Sequence, residues 1–581
     1  MAEAASRTWR HDLVAPLIGA FRDVAAFSLG INVLALAVPV FILQVYDRVV
    51  FHAGMSTLQG LVAGMTLALV FDFILRQARA RILQTLAVRV DVALGRHLFA
   101  ALTELPLRTL ERTGTAEWST CFRDIDTVRA AVSGSAGLLV CEFPFMVLAA
   151  ILIFVIAAPI AWILLLVVPL MALLAWGAGA AMVSAGRRER ASIRGRDALL
   201  AELIAERTTI KQLACAPGVG ERWQAAHADA IVDATLRGGR SDTFSNLSTT
   251  VTLSTTVLLT TAGALAILDQ SLSIGALVAV NMLSGRLLGP LSQLIGGWRS
   301  LIAVRLSLQR LGAILDRVDR APPRGRVAMT RPGGAIALED VAFAFNEGEP
   351  AAVAGISLRF PALGVHAITG ANGSGKSTLL RLIRGLYRPI GGRVTIDGAD
   401  ISQFADAELA QWIAYLPQGD GLLAGSIRDN IALRAPEADD EAIVSAAARA
   451  GLDRIVAAMP GGYATEVGEA GRRLSAGQRQ RIVLARALLG DPAIVLLDEP
   501  SAHLDGRASE QLGASLQSLA KSRPVLVVTH NPLLLAAADT ITRLDAGTVA
   551  LAGPSADILP ILMSAPDRGP RPTRRAARSG S

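Results

Sequence analysis

The chain has 581 residues, of which 52% are hydrophobic and only 18% charged, with a mean hydropathy of +0.45. Soluble globular chains carry about 25% charge, so a disordered, collagen-like or small secreted protein is excluded and a membrane protein is indicated. The net charge of +7 rests on arginine, since Lys211, Lys376 and Lys521 are the only lysines.

The first 23 residues carry Arg7, Arg10, His11 and Arg22, but no short apolar run ending in a cleavage site, so no removable signal peptide is predicted. Six stretches then reach the length of about 18 apolar residues that crosses a bilayer as a helix. They are Val24 to Val45, Leu58 to Leu75, Ala136 to Ala158, Ile160 to Val183, Leu247 to Leu268 and Leu272 to Ile295. The connections Arg76 to Ser135 and Gly186 to Phe244 each hold nine arginines, against one in the turns near Asp47, Pro159 and Asp269. Basic loops stay cytoplasmic, which predicts that both chain ends are cytoplasmic. The long connections are helical in composition, so the membrane helices should extend into the cytoplasm. Short turns at Leu105-Pro106-Leu107 and Ala216-Pro217-Gly218 should contact whatever lies below.

Asp72, Glu142 and Arg286 fall inside these spans, toward the cytoplasmic ends. Charges at such depth need a wet cavity or a partner, so they either line an inward-facing cavity or pair and snorkel. Past the sixth span, Trp298 to Asp316 continues as an amphipathic helix, ending a membrane domain placed at 1–316. Pro and Gly clusters at Arg320 to Gly325 and Arg331 to Gly334 mark a linker over 317–334. A second domain is placed at 335–565, where short strands such as Val394 to Ile396, Ala493 to Leu497 and Val525 to Val528 alternate with helical segments, the pattern of an α/β domain. The arginine-rich tail 566–581 reads as disordered.

Chemistry concentrates in the second domain. Gly370-Ala371-Asn372-Gly373-Ser374-Gly375-Lys376-Ser377 fits GxxxxGK[ST] after the apolar run Val365 to Thr369. Glycines let backbone N–H groups curl around phosphate oxygens, the following helix directs its positive dipole end at them, and the lysine reaches the terminal phosphates. Ser377 is the predicted Mg²⁺ ligand, and Thr378 continues the nucleotide-binding run. Downstream, the apolar strand Ala493 to Leu497 ends in Asp498 and Glu499. A carboxylate beside a phosphate loop serves the metal and a second one the attacking water, so Asp498 is assigned to Mg²⁺ and Glu499 to the catalytic base.

Between these motifs lies Leu474-Ser475-Ala476-Gly477-Gln478, which resembles the LSGGQ signature of the ATP-binding cassette (ABC) transporter family with alanine in third place. Over about 230 residues the other motifs of that family follow in order. The resemblance makes Gln418 the Q-loop residue and a metal contact, Asp505 the end of the D-loop, His530 the switch histidine, and Thr465 to Glu469 the short exporter motif before the signature. Phe345 stands where the family commonly has an adenine-stacking tyrosine, and His503 replaces a small D-loop residue; His366 reads as structural. The implied fold is an all-α six-helix transmembrane domain fused to an α/β P-loop NTPase domain. The implied site binds ATP and Mg²⁺, with Ser475, Ala476, Gly477 and Gln478 facing the nucleotide of an opposite cassette. One chain is then a half-transporter working as a homodimer, and a membrane domain ahead of its cassette is the exporter arrangement.

Too few residues precede the first span for the peptidase domain of leader-cleaving peptide exporters. Leu43-Gln44-Val45-Tyr46-Asp47-Arg48-Val49-Val50 looks like a stretch shared by type I secretion exporters of RTX-like proteases, lipases and adhesins, although Tyr46 and Arg48 also suit a plain interfacial anchor. That likeness implies an inner-membrane exporter of a polypeptide, with the cassette cytoplasmic and a membrane-fusion protein and an outer-membrane channel as partners; no nucleic acid is expected. Two alternatives stand beside it: an exporter of lipid, peptide or small amphiphile, and an ATP-binding regulatory subunit that does not turn over, against which an intact Glu499 speaks.

Overall fold

Apolar runs of membrane length become helices because a helix satisfies every backbone polar group within its own segment. The computed structural model describes residues 9–50, 54–319, 330–346, 348–419, 421–502 and 504–564. The first part holds nine α-helices: α1 (Trp9–Gln44), α2 (Met55–Glu104), α3 (Leu107–Arg112), α4 (Thr115–Ser133), α5 (Ser135–Ile156), α6 (Ala158–Ala205), α7 (Arg207–Leu213), α8 (Ala216–Leu268) and α9 (Ile274–Asp319). Five described stretches are long and apolar enough to cross a membrane: Ile18–Val50, Met55–Glu104, Ala158–Ala205, Ala216–Leu268 and Ile274–Trp298. The remaining expected span is α5, whose described apolar part is Glu142–Ile156. It stops two residues short of the expected Ala158, because Ala157 leaves helical geometry and α6 starts at once.

Helices α2, α6 and α8 have 50, 48 and 53 residues. At 1.5 Å per residue each runs about 75 Å, more than twice the roughly 30 Å of hydrocarbon, so each continues far beyond a bilayer. Charged side chains tie helices of this part together. Asp124 on α4 is buried and accepts from Ser307 Oγ (2.7 Å) and Arg310 Nε (2.6 Å) on α9, and Arg237 on α8 donates to Glu189 on α6. The second expected turn is displaced: α6 ends at Ala205, α7 follows, Ala214 adopts a left-handed conformation, and α8 starts at Ala216. Pro217 therefore lies in the first turn of α8, where a missing N–H costs nothing.

Val45–Val50 forms a π-helical turn rather than continuing α1. Within it Asp47 accepts from Ser273 Oγ (2.5 Å) and from the Gly275 N–H (2.9 Å), and so caps the start of α9. The anchor reading of this stretch rested on Tyr46 and Arg48; Asp47, between them, bonds to the start of α9.

Two intramembrane carboxylates pair within the bundle. Asp72 accepts from Arg76 at 2.6 Å, and Glu142 lies 3.8 Å from Arg79, which also donates to Ser28 at 3.2 Å. Arg286 lies on α9, within the stretch of that helix that is apolar enough to cross a membrane.

The chain divides into two compact units. Described residues of Met1–Leu105 and Arg112–Ala321 form the helical one, and those of Pro106–Glu111 and Pro322–Ser581 form the other. The second unit is α/β. Strands β1 (Ile336–Phe343), β2 (Val353–Phe360), β4 (Gly391–Ile396) and β5 (Ala399–Asp400) form an antiparallel sheet in the order β2-β1-β4-β5. Strands β3 (Gly364–Gly370), β6 (Ile413–Leu416), β7 (Ile494–Asp498), β8 (Pro524–Val528), β9 (Thr540–Asp545) and β10 (Thr548–Pro554) form a second sheet in the order β10-β9-β3-β8-β7-β6, parallel except for β10. Strands β7 and β8 are buried along their whole length, as parallel strands covered on both faces must be. Val394 to Ile396 belongs to the antiparallel sheet, which the simple alternation of strand and helix did not foresee. His503 and the tail from 565 lie outside the described residues.

Candidate functional site

In a parallel sheet, neighbouring strands deliver their carboxyl ends to one edge, where ligands bind. Here β3 ends in Gly370, β8 in Val528 followed by His530, and β7 in Asp498 followed by Glu499, with β8 between the other two. Three stretches far apart in the chain thus meet along one edge.

The loop after β3 is shaped by glycine. Gly370 has φ +144° and Gly375 φ +96°. A Cβ at Gly370 would stand 2.1 Å from the Leu544 carbonyl oxygen, and one at Gly375 2.3 Å from that of Ala352, so no larger residue fits either place. Gly373, with φ +81°, has open space around it. Helix α10 (Lys376–Ile383) starts directly behind the loop. The Lys376 ammonium is buried and donates to the carbonyls of Gly370 (2.7 Å) and Ala371 (2.9 Å). Burial pulls its pKa down, while Glu499 and Asp498 oppose that shift. Ser374 Oγ, also buried, has no hydrogen-bond partner, while Asn372 is exposed and Thr378 buried.

Asp498 is 2% exposed. Burial raises its pKa, opposed first by the hydroxyl of Ser377 and then by the charges of Arg381 and Lys376. Its Oδ1 is buried without a partner. Oxygen donors from a hydroxyl and a carboxylate are those that hard divalent cations take, so Ser377 and Asp498 fit Mg²⁺. Gln418, two residues past β6, is exposed and makes no described hydrogen bond to either.

Glu499 has φ +51°, an uncommon backbone state for a non-glycine residue. Its N–H donates to the Val528 carbonyl at 2.9 Å and its carbonyl accepts from Gln480 Nε2 at 3.2 Å. Burial raises the carboxyl pKa, and the nearby Asp498 adds to the rise. Oε1 lies 3.6 Å from His530 Nε2. The imidazole pKa is lowered by burial and then by Lys376, so His530 is neutral at neutral pH and faces a carboxyl group that holds its proton more firmly than usual.

Phe345 follows β1 and stands edge-on to Phe343 (5.2 Å) and Tyr387 (5.9 Å), which stack on each other at 4.9 Å. Arg108 of α3 donates to the Phe345 carbonyl through Nη2 (2.7 Å) and Nε (3.1 Å). Tyr387 Oη donates to Glu111 at 2.6 Å and accepts from Arg381 at 2.7 Å. Burial and Glu111 push its pKa up to about 12. Arg108, Glu111, Arg381 and Tyr387 escaped sequence reasoning; the expected turn at Pro106 was the one signal for the first two.

Ser475 caps the helix Ala476–Leu488, its Oγ accepting from the Gln478 N–H (3.3 Å) while Gln478 Oε1 accepts from the Ser475 N–H (2.8 Å). Asp505 caps Gly506–Ala520, accepting from the Ala508 N–H at 2.7 Å. No described hydrogen bond or ion pair joins Ser475, Ala476, Gly477, Gln478 or Asp505 to the phosphate loop of the same chain. The sheet edge can therefore hold a nucleoside triphosphate and its metal, with a carboxylate and an imidazole near the terminal phosphate.

A family model described as "ABC transporter" matches residues 353–502, and one described as "ABC transporter transmembrane region" matches residues 24–291. The chain is 30% identical over 555 residues to the toxin RTX-I translocation ATP-binding protein of Actinobacillus pleuropneumoniae, covering 95% of this chain and 78% of that one. It is 31% identical over 538 residues to the cyclolysin secretion/processing ATP-binding protein of Bordetella pertussis, covering 91% and 74%. Its fold is similar to that of a bacterial Atm1-family exporter solved with ATP bound, with a TM-score of 0.81 at 22% identity, over 94% of this chain and 97% of the other.

Proposed function

Because the chain belongs to the ABC transporter family, as a multi-pass membrane protein with its ATP-binding part on the same polypeptide, we propose that it is the ATP-hydrolysing permease of a type I secretion system. It works as a homodimer in the inner membrane, its cassettes in the cytoplasm, and moves a polypeptide outward to a membrane-fusion protein and an outer-membrane channel. The observation that carries this reading is the extent of the likeness: alignments about 30% identical overall cover 91 to 95% of the chain, and the proteins matched have the names of toxin translocators.

In this reading Gly370, Asn372, Gly373, Ser374, Gly375 and Thr378 form the phosphate cradle, Lys376 supplies its charge, and Phe345 supports the base. Glu499 receives the proton of the attacking water, and His530 orients the terminal phosphate. Ser377, Gln418 and Asp498 hold Mg²⁺, which when bound neutralises phosphate charge. Ser475, Ala476, Gly477, Gln478 and Asp505 complete the site of the partner chain.

The test is steady-state ATPase of the purified protein in lipid, with Glu499→Gln beside it. Turnover falls in the variant by about a hundredfold or more while ATP stays bound; equal and substantial rates in both proteins overturn the assignment of the base, and a parent with no turnover above background favours a regulatory subunit. Cargo follows from what co-purifies with Glu499→Gln. A polypeptide supports the secretion reading, whereas lipid or a small amphiphile alone favours the other exporter reading.

A further inference from the structure

The helical bundle holds, inside an apolar span, a charge that the described chain leaves unneutralised. Arg286 lies on α9, within the stretch of that helix that is apolar enough to cross a membrane. Its side chain is exposed and forms no described hydrogen bond or ion pair, while Arg76, Asp72 and Glu142 act on it only through space. Asp72 is engaged by Arg76 and Glu142 by Arg79. Three guanidinium groups therefore face two carboxylates, and the surplus positive charge sits on Arg286. A lone charge inside a membrane-spanning stretch persists only where water or a counter-charge meets it.

Arg286 opens on a cavity of about 190 Å³, lined also by Asn32 of α1, Arg76 of α2, Glu142 of α5 and Gln293 of α9. The wall thus carries amide groups, two guanidiniums and one carboxylate already turned to Arg79. Guanidinium is weakly hydrated and offers a planar fork of donors that matches a carboxylate or phosphate. We propose that this cavity receives an acidic group of the exported molecule, with Arg286 as its counter-charge. The inference rests on the exporter reading and adds the chemical class its cargo must present.

The test uses full-length protein in phosphatidylcholine nanodiscs, with Cys121, Cys141 and Cys215 replaced and Gln293→Cys introduced. The new thiol is modified by an anionic (sulfonatoethyl) or a cationic (trimethylammonioethyl) methanethiosulfonate, each rate being normalised to that of a free thiol. A single nearby positive charge favours the anionic reagent by about tenfold. That preference disappears in Arg286→Gln and survives in Arg286→Lys, which keeps the charge and controls for misfolding. Dodecanoate slows the reaction and dodecanol does not. Equal rates for the two reagents with Arg286 present overturn the proposal. A thiol that neither reagent reaches also overturns it, since the second copy then closes the cavity. Protection by phosphatidylglycerol but not by dodecanoate assigns the site to a lipid headgroup and overturns the cargo claim. ATPase of the same parent protein is read separately: without it the exporter reading fails, and with it any of these outcomes removes the anion site alone.

Discussion

Glu499 is held by its backbone before its carboxylate does anything. With φ +51°, its N–H bound to Val528 and its carbonyl to Gln480, the residue cannot relax into the extended path of β7. Burial and Asp498 make its neutral form the favoured one. A base must be ionised, so activity is lost as pH falls through this raised pKa. The acid limb of the ATPase kcat/KM profile, measured between about pH 5 and neutrality, should lie above the ordinary glutamate range. Stability has the opposite sign. A raised carboxyl pKa means that the folded state binds its proton more tightly than the unfolded chain, so stability is lost as pH rises through the folded value. Glu499→Gln should therefore raise the melting temperature at neutral pH while abolishing turnover, as thermal scans of both proteins would show. This carboxylate, the phosphate loop and Lys376 were legible in the sequence because each sits in a contiguous run with fixed spacing. Tyr387 and Arg108 were not: their contacts with Glu111 and Phe345 span hundreds of residues, and no local pattern encodes them.

At the scale of elements, the short helix α3 is the least expected piece. The proline at 106 announced a turn, but not that Leu107 would pack against the cassette core or that Arg108 would fix the Phe345 carbonyl. Arg108→Ala should loosen the residue that supports the base without touching phosphate chemistry. It should raise KM for ATP several-fold, about 1 kcal/mol, with kcat little changed in steady-state kinetics. The helical unit depends on a different device. Asp124, 4% exposed, is satisfied among the described residues by Ser307 and Arg310 of α9. Asp124→Asn should cost about 2 kcal/mol, read as a lower melting temperature of the whole protein. Helix existence was legible from apolar length, and helix ends to within a few residues: the breaks at Ala157 and Ala214 fall just ahead of Pro159 and Pro217, each of which lies in the first turn of the next helix.

At the scale of the whole molecule, the proposed homodimer makes its own prediction. Nothing described brings Ser475 to the Lys376 loop of its own chain, so an active site built from both needs two copies. Co-expression of a Lys376→Ala chain with a Ser475→Ala chain should restore part of the ATPase that either variant lacks alone. In the mixed pair one site joins a normal loop to a normal signature while the other carries both lesions. Purifying the mixed pair through two different tags and finding no recovery would mean that each chain acts by itself. Fold class was legible at this scale because membrane-length runs and a phosphate loop occupy separate halves.

The six residues Pro106–Glu111 belong by their contacts to the cassette, although some two hundred residues separate them from it in the chain. A soluble cassette cut out at the linker would lose this plug. It would leave the seat of Leu107 bare and Tyr387 without Glu111, and would tend to self-associate through the wound, so low nucleotide affinity in such a fragment would report the excision rather than the native enzyme.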